Sequence, residues 1–182
     1  ADTDAAFGSL GSFFHFTPRC GSIFVNPPFV PEVILAALIH AEQLLACSET
    51  SQSSSSLSIA SKPTAVSLQK DNDPGLMFMF VFPYKPQEIF TNWAITSPFC
   101  TCYTILPERS HIYTVGQQQY VASSTNSHAY KAARHPTLML FLQNSRSKMN
   151  TPITPSHLSI LLRYFLVQQP PMAPAQHKRD SS

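Results

Sequence analysis

The chain has 182 residues, a formal net charge of +2 at pH 7, 12% charged residues and 43% hydrophobic ones. That length suits one domain, and the apolar share argues against wholesale disorder. The charge balance excludes a basic nucleic-acid tail and an acidic solvating tail. Sixteen prolines against five glycines exclude a glycine-rich phosphate cradle, which needs several positions without a Cβ. The longest apolar run, Gly75–Pro83, is far shorter than a membrane span needs. No signal peptide is recognisable, and the chain starts at Ala1 rather than Met, which predicts a fragment or a processed product.

In chain order, Gly21-Ser22-Ile23-Phe24-Val25 predicts a short buried strand that stops at Asn26-Pro27-Pro28. Pro31 suits a first helical position. From Glu32 to about Ala46, Ile34, Leu38, Ala41 and Leu45 step by four, three and four and line one helix face. Residues 48–61 are dominated by serine and predict a flexible insert reaching to about residue 74. Leu76–Phe82 is apolar on both parities, as in a central strand covered on both faces. A short helix is expected over 86–94 and a strand over Phe99–Leu106, with Ile112–Val115 continuing or pairing with it. Residues 116–130 read as loop, Thr137–Leu142 as a strand and Asn144-Ser145 as a break. Pro155 opens a last helix to about Val167, with Leu158, Leu161, Leu162 and Phe165 on one face. The proline-rich tail, 168–182, reads as disordered. The order is that of the second half of an open α/β sheet, with ligands expected beyond strand carboxyl ends.

The four cysteines at 20, 47, 100 and 102 are too few and too irregular for a disulfide framework. They predict reduced, buried thiols in an intracellular protein. The seven histidines form no metal-ligand spacing.

Asn26-Pro27-Pro28-Phe29 directly after a strand is the stretch that carries chemistry. Asn, two prolines and an aromatic form the active-site signature of enzymes that methylate exocyclic amines, notably adenine N6. The lone pair of such an amine is delocalised into the ring. An Asn oxygen and a nearby backbone carbonyl accept its two N–H bonds and favour a tetrahedral nitrogen. The prolines donate no N–H and hold the backbone extended. Phe29 offers a ring for the base to stack on, once the base has left any stack. Composition would produce this pattern far less than once in a chain of this length. The competing reading is a Pro-Pro turn that merely separates a strand from a helix, and the strand before and helix after favour the functional one.

The stretch Asp2-Thr3-Asp4-Ala5-Ala6-Phe7-Gly8-Ser9-Leu10-Gly11-Ser12-Phe13-Phe14, followed by Gly21–Phe29, closely resembles the phosphorylated-CTD-interacting factor family. Phe78–Pro83 and Lys131-Ala132 through Asn144 resemble its later strands. The family consists of cap-specific adenosine N6-methyltransferases acting on 2′-O-methyladenosine beside the mRNA cap. The resemblance implies a partial Rossmann-like methyltransferase fold over 1–167, the C-terminal half of its sheet with flanking helices. It implies S-adenosylmethionine as cofactor, capped mRNA as substrate and a nuclear location, with no membrane partner. It also implies a link to the phosphorylated RNA polymerase II C-terminal domain, through a WW domain that this chain lacks; Trp93 is its only tryptophan.

Carried over by position, Asn26, Pro27, Pro28 and Phe29 are catalytic, and Asp4 meets the cofactor. Gly8 and Gly11 are candidates for close backbone approach, with a plain turn the simpler reading. Lys131, Arg134 and His135 are candidates for RNA phosphates, against a solvated loop face. The family's upstream cofactor segment is missing from this chain. Two alternatives therefore stand: an inactive fragment or pseudoenzyme keeping RNA or partner binding, and an N-methyltransferase for another amine, such as DNA adenine or a glutamine amide.

Overall fold

The computed structural model describes residues 8–53, 73–114 and 130–167. Its centre is strand β2 (Leu76–Pro83), which carries Leu76, Phe78, Phe80 and Phe82 on one face. Strand β1 (Gly21–Val25) pairs parallel to it, with Val25 opposite Phe80. On its other side β2 pairs antiparallel with β6 (Thr137–Gln143), which pairs antiparallel with β3 (Cys100–Leu106). The sheet order is β1-β2-β6-β3. Strands β1, β2 and β3 thus run one way and β6 the other, so three strand ends and the start of β6 share one edge of the sheet. This is an α/β domain, as the element order predicted, and its four-stranded sheet is mixed.

Both faces of β2 are covered, as its apolar parities required. Helix α1 (Pro31–Ser53) lays Ile34, Ala37, Leu38, Ala41 and Leu45 against one face. Helix α2 (Ile89–Thr96) adds Phe90 and Ala94 there. Phe82 meets Phe80 and Phe90 edge to face, with Phe82 and Phe90 centroids 5.6 Å apart, a geometry the ring quadrupole favours. On the opposite face Met79, Val81, Leu106 and Met139 meet Leu161, Leu162 and Phe165 of α4 (Pro155–Val167). By length and composition alone Pro31–Thr50 would also suit a membrane span; its apolar stripe covers the sheet instead.

Several expectations are corrected. Helix α1 does not stop near Ala46 but runs to Ser53. Serine is a modest helix former, and tertiary bonds hold this end: Ser48 Oγ accepts from Asn144 Nδ2 at 2.9 Å, and Glu49 Oε1 accepts from Ser145 N and Oγ at 2.7 and 2.8 Å. Asn144-Ser145 is not only a break. Asn144 caps a short helix α3 (Ser145–Asn150), its Oδ1 accepting from Ser147 N and Leu76 N. Gly75, with φ +80°, lies so close to α3 that a Cβ would run into the Ser147 backbone.

Strand β1 is not buried throughout: only Val25 is, and Phe24 is 59% exposed on this edge strand. Phe78 and Phe80 of the neighbouring strand are fully buried under α1. Ile112–Thr114 (β4) does not join β3; it pairs with Tyr130–Ala132 (β5) in a separate ribbon. Helix α2 begins at Ile89 and ends at Thr96, later than expected at both ends. No disulfide joins the four cysteines, but Cys20 and Cys47 are exposed and Cys100 and Cys102 only half-buried; burial raises the pKa of both half-buried thiols. The centre of the serine-rich segment, most of the 116–130 loop and the tail from 168 lie outside the described residues.

Candidate active site

Strand β1 ends at Val25, which is anchored in the core. Asn26 leaves the sheet level with Val81, before β2 ends at Pro83. The next four residues form a tight connection: Asn26 is exposed, Pro27 buried, Pro28 exposed and Phe29 44% exposed. Val30 N donates to Pro28 O at 2.7 Å, and Ile34 N to Val30 O at 3.0 Å, so α1 starts at once. Pro31 at its first position has no N–H to leave unpaired. Pro28's carbonyl is therefore engaged by Val30. The Asn26 side chain and the Pro27 carbonyl have no hydrogen-bond partner among the described residues. Two acceptors one residue apart, with an aromatic ring two residues further on, can hold a planar amine by both N–H bonds.

The same edge carries other groups. Tyr84 N donates to Pro136 O at 2.7 Å, tying the end of β2 to the start of β6. The turn after β3 is held by Ser110 Oγ donating to Pro107 O at 2.6 Å. His111, 1% exposed, has Nε2 at 2.8 Å from Thr137 Oγ1 and Nδ1 at 3.2 Å from Ser110 Oγ. His111 joins Ser110 of the turn to Thr137 of β6 through its two ring nitrogens, the donor and acceptor roles following the ring's tautomer. Burial pushes the His111 pKa down, against a smaller opposing effect of the Pro107 carbonyl. Sequence reasoning treated His111 as one scattered histidine; nothing local marks it, since Thr137 is 26 residues away.

Of the other expected residues, Asp4 lies outside the described residues. Gly8 and Gly11 have φ of +84° and +87° with no atom within 4 Å of a would-be Cβ, so they serve turns rather than a close approach to this chain. The segment after them docks on the core: Phe13 meets His40 and Phe78 edge to face, and His40 Nε2 lies 3.2 Å from Phe16 O. Lys131 lies in β5. Arg134 and His135 are exposed just before β6, on the Asn26 edge of the sheet.

An open α/β sheet with this four-residue connection at a parallel-strand carboxyl end is the place where such folds bind ligands. Over residues 1–116 the chain matches the family model described as the phosphorylated CTD interacting factor 1 WW domain. The chain belongs to that family. With one tryptophan it cannot carry the two-tryptophan WW pattern, and the described part of the matched region forms β1, α1, β2, α2, β3 and β4. Two relatives, from Homo sapiens and Mus musculus, are each named mRNA (2'-O-methyladenosine-N(6)-)-methyltransferase. They are 32% identical to this chain over 160 and 162 residues, covering 88% of it and 19% of their own length. The chain thus spans about a fifth of the relatives it matches.

Proposed function

We propose that this chain supplies the substrate-holding part of an N6-adenosine methyltransferase acting on 2′-O-methyladenosine beside an mRNA cap. The observation that carries the reading is the pair of unengaged acceptors, Oδ1 of the exposed Asn26 and the carbonyl of the buried Pro27, at the carboxyl end of β1 beside Phe29. The relatives' names support the reaction class. The sheet, with one reversed strand between parallel ones, is compatible with the later half of a Rossmann-like methyltransferase domain.

Asn26 Oδ1 and Pro27 O accept the two amine protons and turn the nitrogen lone pair out of conjugation. Phe29 stacks on the base and fixes its plane. Pro27, buried, holds the two acceptors at a fixed separation. No side-chain base is required, because positioning accounts for the rate. S-adenosylmethionine, when bound, supplies an electrophilic methyl group on a sulfonium. The described residues of the motif fit an amine donor. Asp4, the acid assigned to the cofactor, lies outside them, so no step is built on cofactor contacts. A nuclear location and association with phosphorylated polymerase tails are part of the same proposal.

The test offers the whole protein, as its gene encodes it, three acceptors: capped RNA beginning in 2′-O-methyladenosine, adenine-containing DNA, and a glutamine peptide. Methylation of the capped RNA at N6 is expected. Methylation confined to DNA or peptide overturns the substrate, and methylation of none overturns the enzyme reading.

A further inference from the structure

The turn after β3 contains a backbone feature that packing does not explain. Ser110 N donates to Pro107 O at 3.4 Å, which makes Arg109 the third residue of a four-residue turn. Its φ is +59°, and it is the only described non-glycine residue with positive φ. Glycine or asparagine is the usual occupant of such a position, because a Cβ there is strained. Arg109 is also exposed, so no burial compensates for the strain.

The turn is rigidly placed. Arg109 N donates to Ala133 O at 2.9 Å and Ala133 N to His111 O at 3.0 Å. The buried His111–Thr137 bond fastens the same turn to the first residue of β6. These bonds put Arg109 beside the residue that precedes Arg134. Both arginines are exposed, and neither has an ion-pair partner among the described residues. His135 follows, also exposed; Glu108 is the one exposed acid in the turn itself. All lie on the sheet edge that carries Asn26–Phe29.

We propose that Arg109 and Arg134 form a cationic pair that grips the phosphodiester backbone of the single-stranded nucleic acid whose base enters at Asn26–Phe29. The inference rests on the functional reading above. Guanidinium groups suit phosphate because they offer paired donors and keep their charge. A rigid turn holding one arginine against the connection that carries the other lets the pair meet neighbouring phosphates without ordering a loop. Such contacts position the strand without reading its sequence.

The experiment uses the full 182-residue chain and a labelled single-stranded RNA of about ten nucleotides, with binding read by fluorescence anisotropy over a salt series. Arg109→Gly is the informative variant, since glycine relieves the backbone strain. It should bind at least ~5-fold more weakly, with a salt slope reduced by about 0.7, while its melting temperature stays equal or rises. Arg134→Ala should lose a similar factor. Arg163→Ala, on the exposed side of α4, should bind like the unaltered chain. A DNA strand of the same sequence should show the same losses. Unchanged binding by Arg109→Gly and Arg134→Ala overturns the pair and leaves the methyltransferase reading standing. No RNA binding by the unaltered chain also overturns it; the methyl-acceptor panel judges the reading separately. A fall in melting temperature for Arg109→Gly would give the residue a structural role and contradict the proposal.

Discussion

Asn144 Nδ2 donates to Ser48 Oγ over 2.9 Å, joining residues 96 positions apart. Ser48 donates in turn to Leu45 O at 2.7 Å, and Asn144 Oδ1 accepts from Leu76 N and Ser147 N. One buried amide therefore ties the end of α1, the start of β2 and the cap of α3 together. The bond also moves the boundary of the serine-rich segment: its first residues are part of the helix that packs on the sheet.

Two deletions separate these roles. Removing 48–61 takes away Ser48 and Glu49 and leaves the Asn144 amide and Ser145 N without their partners. Removing 54–61 leaves those bonds in place. The longer deletion should be less stable than the shorter by about 1–3 kcal/mol, the usual penalty for a buried polar group left unpaired, read from urea midpoints. Equal stability of the two would mean that the contacts between α1 and α3 contribute nothing.

His111 makes stability depend on pH in a defined direction. Its pKa in the folded chain is lowered by burial from the ordinary 6.5, so the unfolded chain binds its proton first as pH falls. The contribution is whole above about 6.5. It is lost as pH falls from there through the lowered value, and is constant below it. Urea unfolding at several pH values should show the loss, and His111→Gln should flatten that part of the profile. An unchanged profile in the variant would place the pH dependence elsewhere.

Long apolar elements were legible because burial writes itself into period. The step of Ile34, Leu38, Ala41 and Leu45 gave α1, the unbroken Leu76–Phe82 run gave a strand covered on both faces, and Leu161, Leu162 and Phe165 gave the inner face of α4. The features that were missed rest on long-range bonds. Helix α1 past Ala46 depends on Asn144 and Ser145, α3 on its Asn144 cap, and the β4–β5 ribbon on pairing between Tyr113 and Lys131. At the site, the local motif was readable because Asn26–Phe29 are consecutive. His111 and Arg109 were not, since their surroundings come from Thr137 and Ala133.

Phe29 provides a graded test of the stacking role. It is 44% exposed at the end of the motif, so truncation should disturb the core little. In the whole protein Phe29→Ala should weaken use of the capped substrate by about 1–3 kcal/mol, whereas Phe29→Trp and Phe29→Tyr keep a measurable fraction. A leucine that serves as well as tryptophan would make Phe29 a packing residue.

The most direct measurement is methyl transfer to capped RNA beginning in 2′-O-methyladenosine by the whole protein carrying Asn26→Ala, set beside its thermal unfolding. Asn26 is exposed and contributes little packing, so its melting temperature should match that of the unaltered protein. The rate should fall by at least about 100-fold, the usual effect of removing one preorganised hydrogen-bonding partner from a transition state. An Asn26→Ala protein that keeps most of its rate at unchanged stability would contradict the assignment of this motif to the chemistry.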